Sequence, residues 1–291
     1  MRPVLVVFWM LFLVPHARAH SDPSGDTHPE VFVVEGNFVV EFGSKEWNEE
    51  NAEQRSYFRM VWSPDGKLLL PRHRVLPRPE DRYISAAWPV KPAIEFREGT
   101  TKGRFFCLWH ETKSGRPTAK PLPLEIESSR SIPQLEAVTV AGPALAFTWA
   151  GIDETVKDSN RVTLYLSHVM REGFLPGATV MIGMPATIYG FPTSSAPVWA
   201  AGRWWVAWVR QSEKTEDRKV PTKTWQTVLS SYDPATKKLG HKPLVGLSNW
   251  NTSLSMKTAG GWLCIAWHAS VDGSYPGEAK IVTAFEKLPG K

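Results

Sequence analysis

Carboxylates, imidazoles and aromatic rings set between apolar runs are the groups in this 291-residue chain that could do chemistry. Glu111, Asp153 and Asp272 each come shortly after a tryptophan-ended apolar run, and Glu154 adds a fourth carboxyl group. Hydrolysis of a glycosidic bond needs two carboxyl groups at a defined separation, so these residues are candidates for an acid and its partner. Their plain alternative is a solvated acidic loop. His110 and His268 each directly follow a tryptophan, and two imidazoles at matching positions could hold a metal or move protons. Their alternative is a hydrogen bond to nearby backbone. Tyr83, Trp88, Tyr189, Trp250 and Tyr275 stand outside the apolar runs. Such rings offer a sugar or a peptide side chain a flat apolar face with a polar tip.

The chain opens like an exported protein. Arg2 supplies a positive start, residues 4–14 are an apolar run, and Ala17-Arg18-Ala19 is a small-x-small cleavage site. Cleavage there would leave His20 at the mature N-terminus, where its amine and imidazole, with His28 nearby, could chelate copper. The apolar run is too short to span a bilayer, and no later stretch reaches about 18 uninterrupted apolar residues. The reading is a soluble periplasmic or secreted protein, with residues 1–19 a signal, 20–30 a flexible lead and 31–291 one domain. Formal net charge is +5, with no Lys/Arg block dense enough to track phosphates. Nucleic acid is therefore not an expected partner, and no cofactor motif is present. Cys107 and Cys264, the two cysteines, both sit in apolar runs and read as separate buried thiols rather than a disulfide.

The elements that must position these groups recur. Gly103-Arg-Phe-Phe-Cys-Leu-Trp109, Gly142-Pro-Ala-Leu-Ala-Phe-Thr-Trp149, Gly202-Arg-Trp-Trp-Val-Ala-Trp208 and Gly261-Trp-Leu-Cys-Ile-Ala-Trp267 share a turn glycine, an apolar run and a terminal tryptophan. Tyr57-Phe-Arg-Met-Val-Trp62 is a fifth copy without the glycine. Runs that do not alternate apolar with polar, too short for a useful helix, must be strands buried on both faces. A glycine-containing hairpin turn precedes the glycine-led runs, and third strands follow at residues 161–167, 224–230 and 279–285, with fourth strands at 178–183 and 241–247.

Three or four antiparallel strands every 40–60 residues, one of them covered on both sides, define the blades of a β-propeller. The expectation is all-β, with five blades, or six if residues 71–92 hide another. The last unit offers three strands, so the N-terminal strand at residues 31–34 is expected to close the last blade. Blade one would use residues 38–42, 57–62 and 67–70.

The recurrent aromatic-ended strand followed by a third strand ending in Ser resembles the sialidase-like propellers. That family carries an Asp-box turn, Ser-x-Asp-x-Gly-x-x-Trp, between third and fourth strands. Ser231-Tyr-Asp233-Pro-Ala235 stands at the matching place with Ala for Gly, and Ser63-Pro-Asp65-Gly66 reads as a tight hairpin turn. The resemblance implies a propeller and, in the family's enzymes, three Arg on a carboxylate, a Tyr–Glu nucleophile pair and an Asp acid. Arg130-Ser-Ile-Pro133 is similar to the family's Arg-Ile-Pro signature with a Ser inserted, and no full catalytic set stands out. The expected function is ligand binding, of carbohydrate or another cell-envelope component, on the rim where second-to-third-strand loops meet the segments that lead into each blade. A sialidase-type glycoside hydrolase and an N-terminal metal-binding protein are the rivals.

Overall fold

The computed structural model describes residues 25–45, 55–76, 94–113, 116–127, 133–141, 144–152, 162–170, 177–183, 194–213, 223–248, 254–270 and 279–290. Among the described residues every regular element is a strand, and the strands form five meanders in chain order. Blade I holds β1 (Gly25–Val34), β2 (Asn37–Lys45), β3 (Arg55–Trp62) and β4 (Leu68–Val75). Blade II holds β5 (Ile94–Glu98), β6 (Arg104–Lys113) and β7 (Arg116–Glu127). Blade III holds β8 (Gln134–Ala141), β9 (Ala144–Ile152), β10 (Val162–Met170) and β11 (Ala178–Gly183). Blade IV holds β12 (Val198–Ala200), β13 (Arg203–Glu213), β14 (Lys223–Asp233) and β15 (Lys238–Ser248), and blade V holds β16 (Leu254–Ala259), β17 (Trp262–Ser270) and β18 (Ala279–Lys287).

Side-chain alternation shows how the blades are arranged. In β9, Leu145, Phe147 and Trp149 enter a core shared with Phe105, Cys107 and Leu124 of blade II, while Ala146 enters one shared with blade IV. In β13, Trp204, Val206 and Trp208 face blade III, and Trp205 and Ala207 face blade V. In β17, Leu263, Ile265 and Trp267 face blade IV, whereas Cys264 and Ala266 face Phe38, Val40 and Phe42 of blade I. Successive residues of one strand thus serve two different neighbours, which is why the runs carry no polar alternation. The first sheet packs on the last, as a ring requires and a linear stack forbids. The fold is a five-bladed β-propeller. Each fully buried Leu, Ile, Phe or Val between blades contributes about 1.5–3 kcal/mol relative to exposure.

The N-terminal strand reaches the last blade, but mainly serves the first. β1 joins β18 by one parallel pair, Gly25 with Ala279, and ladders along β2 through a hairpin at Glu35-Gly36. Pro29 lacks the N–H that a regular ladder needs, and the register slips between Thr27 and Glu30. β1 begins at Gly25, so residues 25–30, read from the sequence as a flexible lead, belong to the sheet. Tight turns at Glu35-Gly36, Ala201-Gly202 and Gly260-Gly261 have both central residues at positive φ, the hairpin geometry that matches strand twist.

Two of the five tryptophan-ended runs depart from the expected pattern. In blade I the strand buried on both faces is β2, whose Phe38, Val39, Val40 and Phe42 are all buried, and Trp62 lies on the half-buried third strand. In blade II, β6 alternates: Phe105 and Cys107 are buried while Phe106 is 46% exposed. Trp109 leans on the core shared with the following blade, whereas Trp149, Trp208 and Trp267 face the preceding one.

Candidate functional site

The two ends of the ring are built differently. On one face the strands are joined through two to seven residues each: 35–36, 63–67, 99–103, 142–143, 171–177, 201–202, 234–237 and 260–261. On the other face the strand ends of β2/β3, β4/β5, β9/β10, β11/β12, β13/β14, β15/β16 and β17/β18 open into residues 46–54, 76–93, 153–161, 184–197, 214–222, 249–253 and 271–278. Antiparallel alternation puts all seven on one rim, because in a four-stranded blade a second-to-third connection and the link to the next blade leave from the same end; in blade II, with three strands described, β7 instead ends at the turn face, Glu127 opposite Arg104. The exception there is β6/β7, joined through residues 114–115. A rigid scaffold presenting long segments at one end is where binding residues concentrate.

Most of the sequence candidates map to these rim segments. Tyr83 and Trp88 fall in 76–93, Asp153 in 153–161, Tyr189 in 184–197, Trp250 in 249–253, and Asp272 and Tyr275 in 271–278. These residues, with His20, lie outside the described ones; what is established is the end of the ring from which their segments depart. His28 lies within β1.

His110 and Glu111 were expected in a loop. They are strand residues, opposite Ala119 and Thr118 in the β6–β7 ladder, because β6 continues to Lys113. His268 is likewise inside β17, opposite Ile281, and 1% exposed. It shares the β17 face of Cys264 and Ala266, toward blade I. The two Trp-His pairs are not equivalent in the ring, since Trp109 and Trp267 pack in opposite senses around it.

Buried polar groups near the rim escaped the sequence reading. Thr148 of β9 and Ser194 exchange a 2.8 Å hydrogen bond across the blade III–IV seam, and Ser195 meets Ala207 through both its backbone N–H and its hydroxyl. Ser44 is buried at the rim end of β2, whose neighbour Lys45 pairs with Gly25, itself opposite Ala279. In the innermost strand of blade III, the ladder passes from Leu135 to Ala137 and leaves half-buried Glu136 as the extra residue of a bulge. Bulges re-aim side chains and recur beside active sites. No sequence signal marked it: Glu136 sits in an ordinary-looking strand.

Both aspartate turns lie on the opposite face. Asp65 accepts a hydrogen bond from the Ser63 hydroxyl, which draws its carboxyl below the usual range. Asp233 accepts from the backbone N–H of Thr236 and of Ala235, and the Thr236 bond is the main cause of its lowered pKa. These carboxylates shape hairpins.

No family model matches the chain, and no curated protein matches its sequence. Solved structures similar to it include a thermostable family-43 glycoside hydrolase, 12% identical, with 94% of this chain and 93% of that one covered at TM-score 0.39. An α-L-arabinofuranosidase from Podospora anserina in complex with cellotriose is 8% identical, covering 93% of each chain at TM-score 0.37. The GH43_1 enzyme from Xanthomonas citri complexed with xylotriose is 13% identical over 90% of this chain and 86% of that one, at TM-score 0.38. At these scores and identities they carry no assignment of activity to this chain.

Proposed function

We propose that the chain is an exported β-propeller that binds carbohydrate, or another cell-envelope component, on its loop rim. The observation that carries this reading is the asymmetry of the ring: connections of two to seven residues at one end, and at the other segments of five to eighteen residues that hold the aromatic candidates. Tyr83, Trp88, Tyr189, Trp250 and Tyr275 would supply stacking faces around a shared opening. Binding of envelope polysaccharides to the purified protein by calorimetry tests it. A saturable isotherm that weakens at least about tenfold in Trp88→Ala or Tyr189→Ala, equivalent to about 1.4 kcal/mol, is the expected result. Absence of binding across neutral and acidic glycans contradicts it.

A second reading, glycoside hydrolysis, is favoured by the bulge that takes Glu136 out of its ladder close to the rim. Glu111, Asp153 and Asp272 are further carboxyl groups of the chain, enough for an acid and a partner. A fluorogenic glycoside panel, sialosides included, separates the two. Turnover lost in Glu136→Gln or Asp153→Asn replaces binding by catalysis.

A further inference from the structure

The turn face, opposite the loop rim, is apolar. Six of the ten exposed large apolar side chains among the described residues lie within two residues of a connection on that face: Val33, Val34, Leu68, Leu69, Val140 and Trp199. Of the ten, Leu76 alone stands at the start of a rim segment. Three of the six hold the same place in their blades. Val33, Val140 and Trp199 each lie in a first strand, two residues before its turn, and their ladder partners are Phe38, Leu145 and Trp204. Those partners are sealed in three different inter-blade cores. The matching residues of blades II and V are Arg97, paired with Glu95, and half-buried Thr258, which donates to the Trp262 carbonyl. First strands ring the axis of a propeller, so these five positions encircle its mouth on the turn face.

Trp199 is fixed as well as exposed. Its ring rests on the buried ring of Trp204, with 5.0 Å between centroids. A side chain already ordered loses little entropy when it is covered, and a buttressed tryptophan is the usual kind of anchor at a protein interface.

Charge selects what covers it. The connections on this face carry four basic residues, Lys67, Lys102, Arg171 and Lys237, and three acidic ones, Glu35, Asp65 and Glu172. A polyanion or an anionic membrane calls for a basic excess, which is lacking. A face that meets its own copy calls for both signs in near balance. Wherever one residue meets a second across a two-fold axis, the second meets the first, so unlike charges pair twice and a single-sign face repels itself.

We propose that the turn face is the contact between two copies of this chain, packed back to back about a two-fold axis, with Val33, Val140 and Trp199 at its centre and both loop rims pointing outward. The six side chains come from blades I, III and IV, and so spread across the face as an ordinary interface of about 800 Å² per partner requires. The contact holds whether or not the rim takes a glycan.

Sedimentation velocity of the purified protein from about 1 to 100 µM tests it. The expected result is a species of twice the chain mass at the upper end, with Trp199→Asp and Val34→Arg each raising the dissociation constant at least about tenfold. Leu76→Arg, at the rim end, should leave the dimer unchanged. Val34 is half exposed beside a turn, so its variant carries the test if Trp199→Asp fails to fold. A monomer throughout overturns the proposal, as does a dimer unaffected by the folded turn-face variants or one broken by Leu76→Arg. A chain that stays monomeric yet binds a different protein through these residues overturns it equally.

Discussion

Trp208 donates its indole N–H to Ser230 Oγ at 2.8 Å, tying the middle strand of blade IV to the strand outside it. Trp149 does the same to Ser167 at 2.9 Å in blade III, and in both blades the serine stands two residues beyond the tryptophan's ladder partner. The indole fills the inter-blade core and the serine satisfies its one donor, so a large aromatic is buried without stranding a polar atom.

Ser230→Ala removes that acceptor while leaving Trp208 buried. The expected cost is about 1–3 kcal/mol, the penalty of an unsatisfied buried donor, and Ser167→Ala should cost a similar amount. Urea unfolding followed by tryptophan fluorescence measures it; an unchanged midpoint in both variants contradicts the clasp.

Blade V lacks the clasp. Trp267 pairs with Val282, so the serine position falls to Ala284, and the buried Trp267 Nε1 has no partner among the described residues. Ala284→Ser should therefore stabilise, by about 0.5–1.5 kcal/mol. A lower unfolding midpoint would show that the indole is oriented otherwise.

Gly183 closes blade III against the same tryptophan. A Cβ there would lie 2.6 Å from Cη2 of Trp208, a ring held by Ser230 and unable to swing aside cheaply. Gly183→Ala should cost about 1–3 kcal/mol, the usual range for overfilling a packed core. Substitution at Gly36, where a Cβ meets nothing, serves as the comparison; its cost is limited to the positive φ of the turn.

Cys107 and Cys264 are unpaired, wholly buried and in different inter-blade cores. Burial pushes the Cys107 thiol up to about 12 and Cys264 higher still, so neither offers thiolate near neutral pH. A thiol reagent should find no rapidly reacting group in the folded protein and two after denaturation. One fast thiol at pH 8 would mean a blade interface opens readily.

The propeller was legible because a strand buried on both faces leaves an unmistakable run, as in β13 and β17. First strands were legible from the turn glycines that precede the runs and third strands from the polar stretches that follow them, and β11 has the same limits in sequence and structure. Trp62 and Trp109 misled: spacing registers the ladder but not which neighbour a side chain meets, and that depends on one residue of phase. The extension of β6 through His110 and Glu111 was hidden because polar residues near a strand end look like a loop. Glu136 and the Thr148–Ser194 bond were invisible for a different reason: a bulge and a contact between distant residues have no local pattern.

Substitution on the two faces, compared in one glycan-binding assay, tests the central claim most directly. Trp88→Ala and Tyr189→Ala change the rim segments, and Trp199→Ala changes an exposed ring near the short turns. The account predicts that the first two weaken carbohydrate binding at least about tenfold and that Trp199→Ala leaves it unchanged. Binding lost in Trp199→Ala and retained in both rim variants would place the functional surface on the other end of the ring.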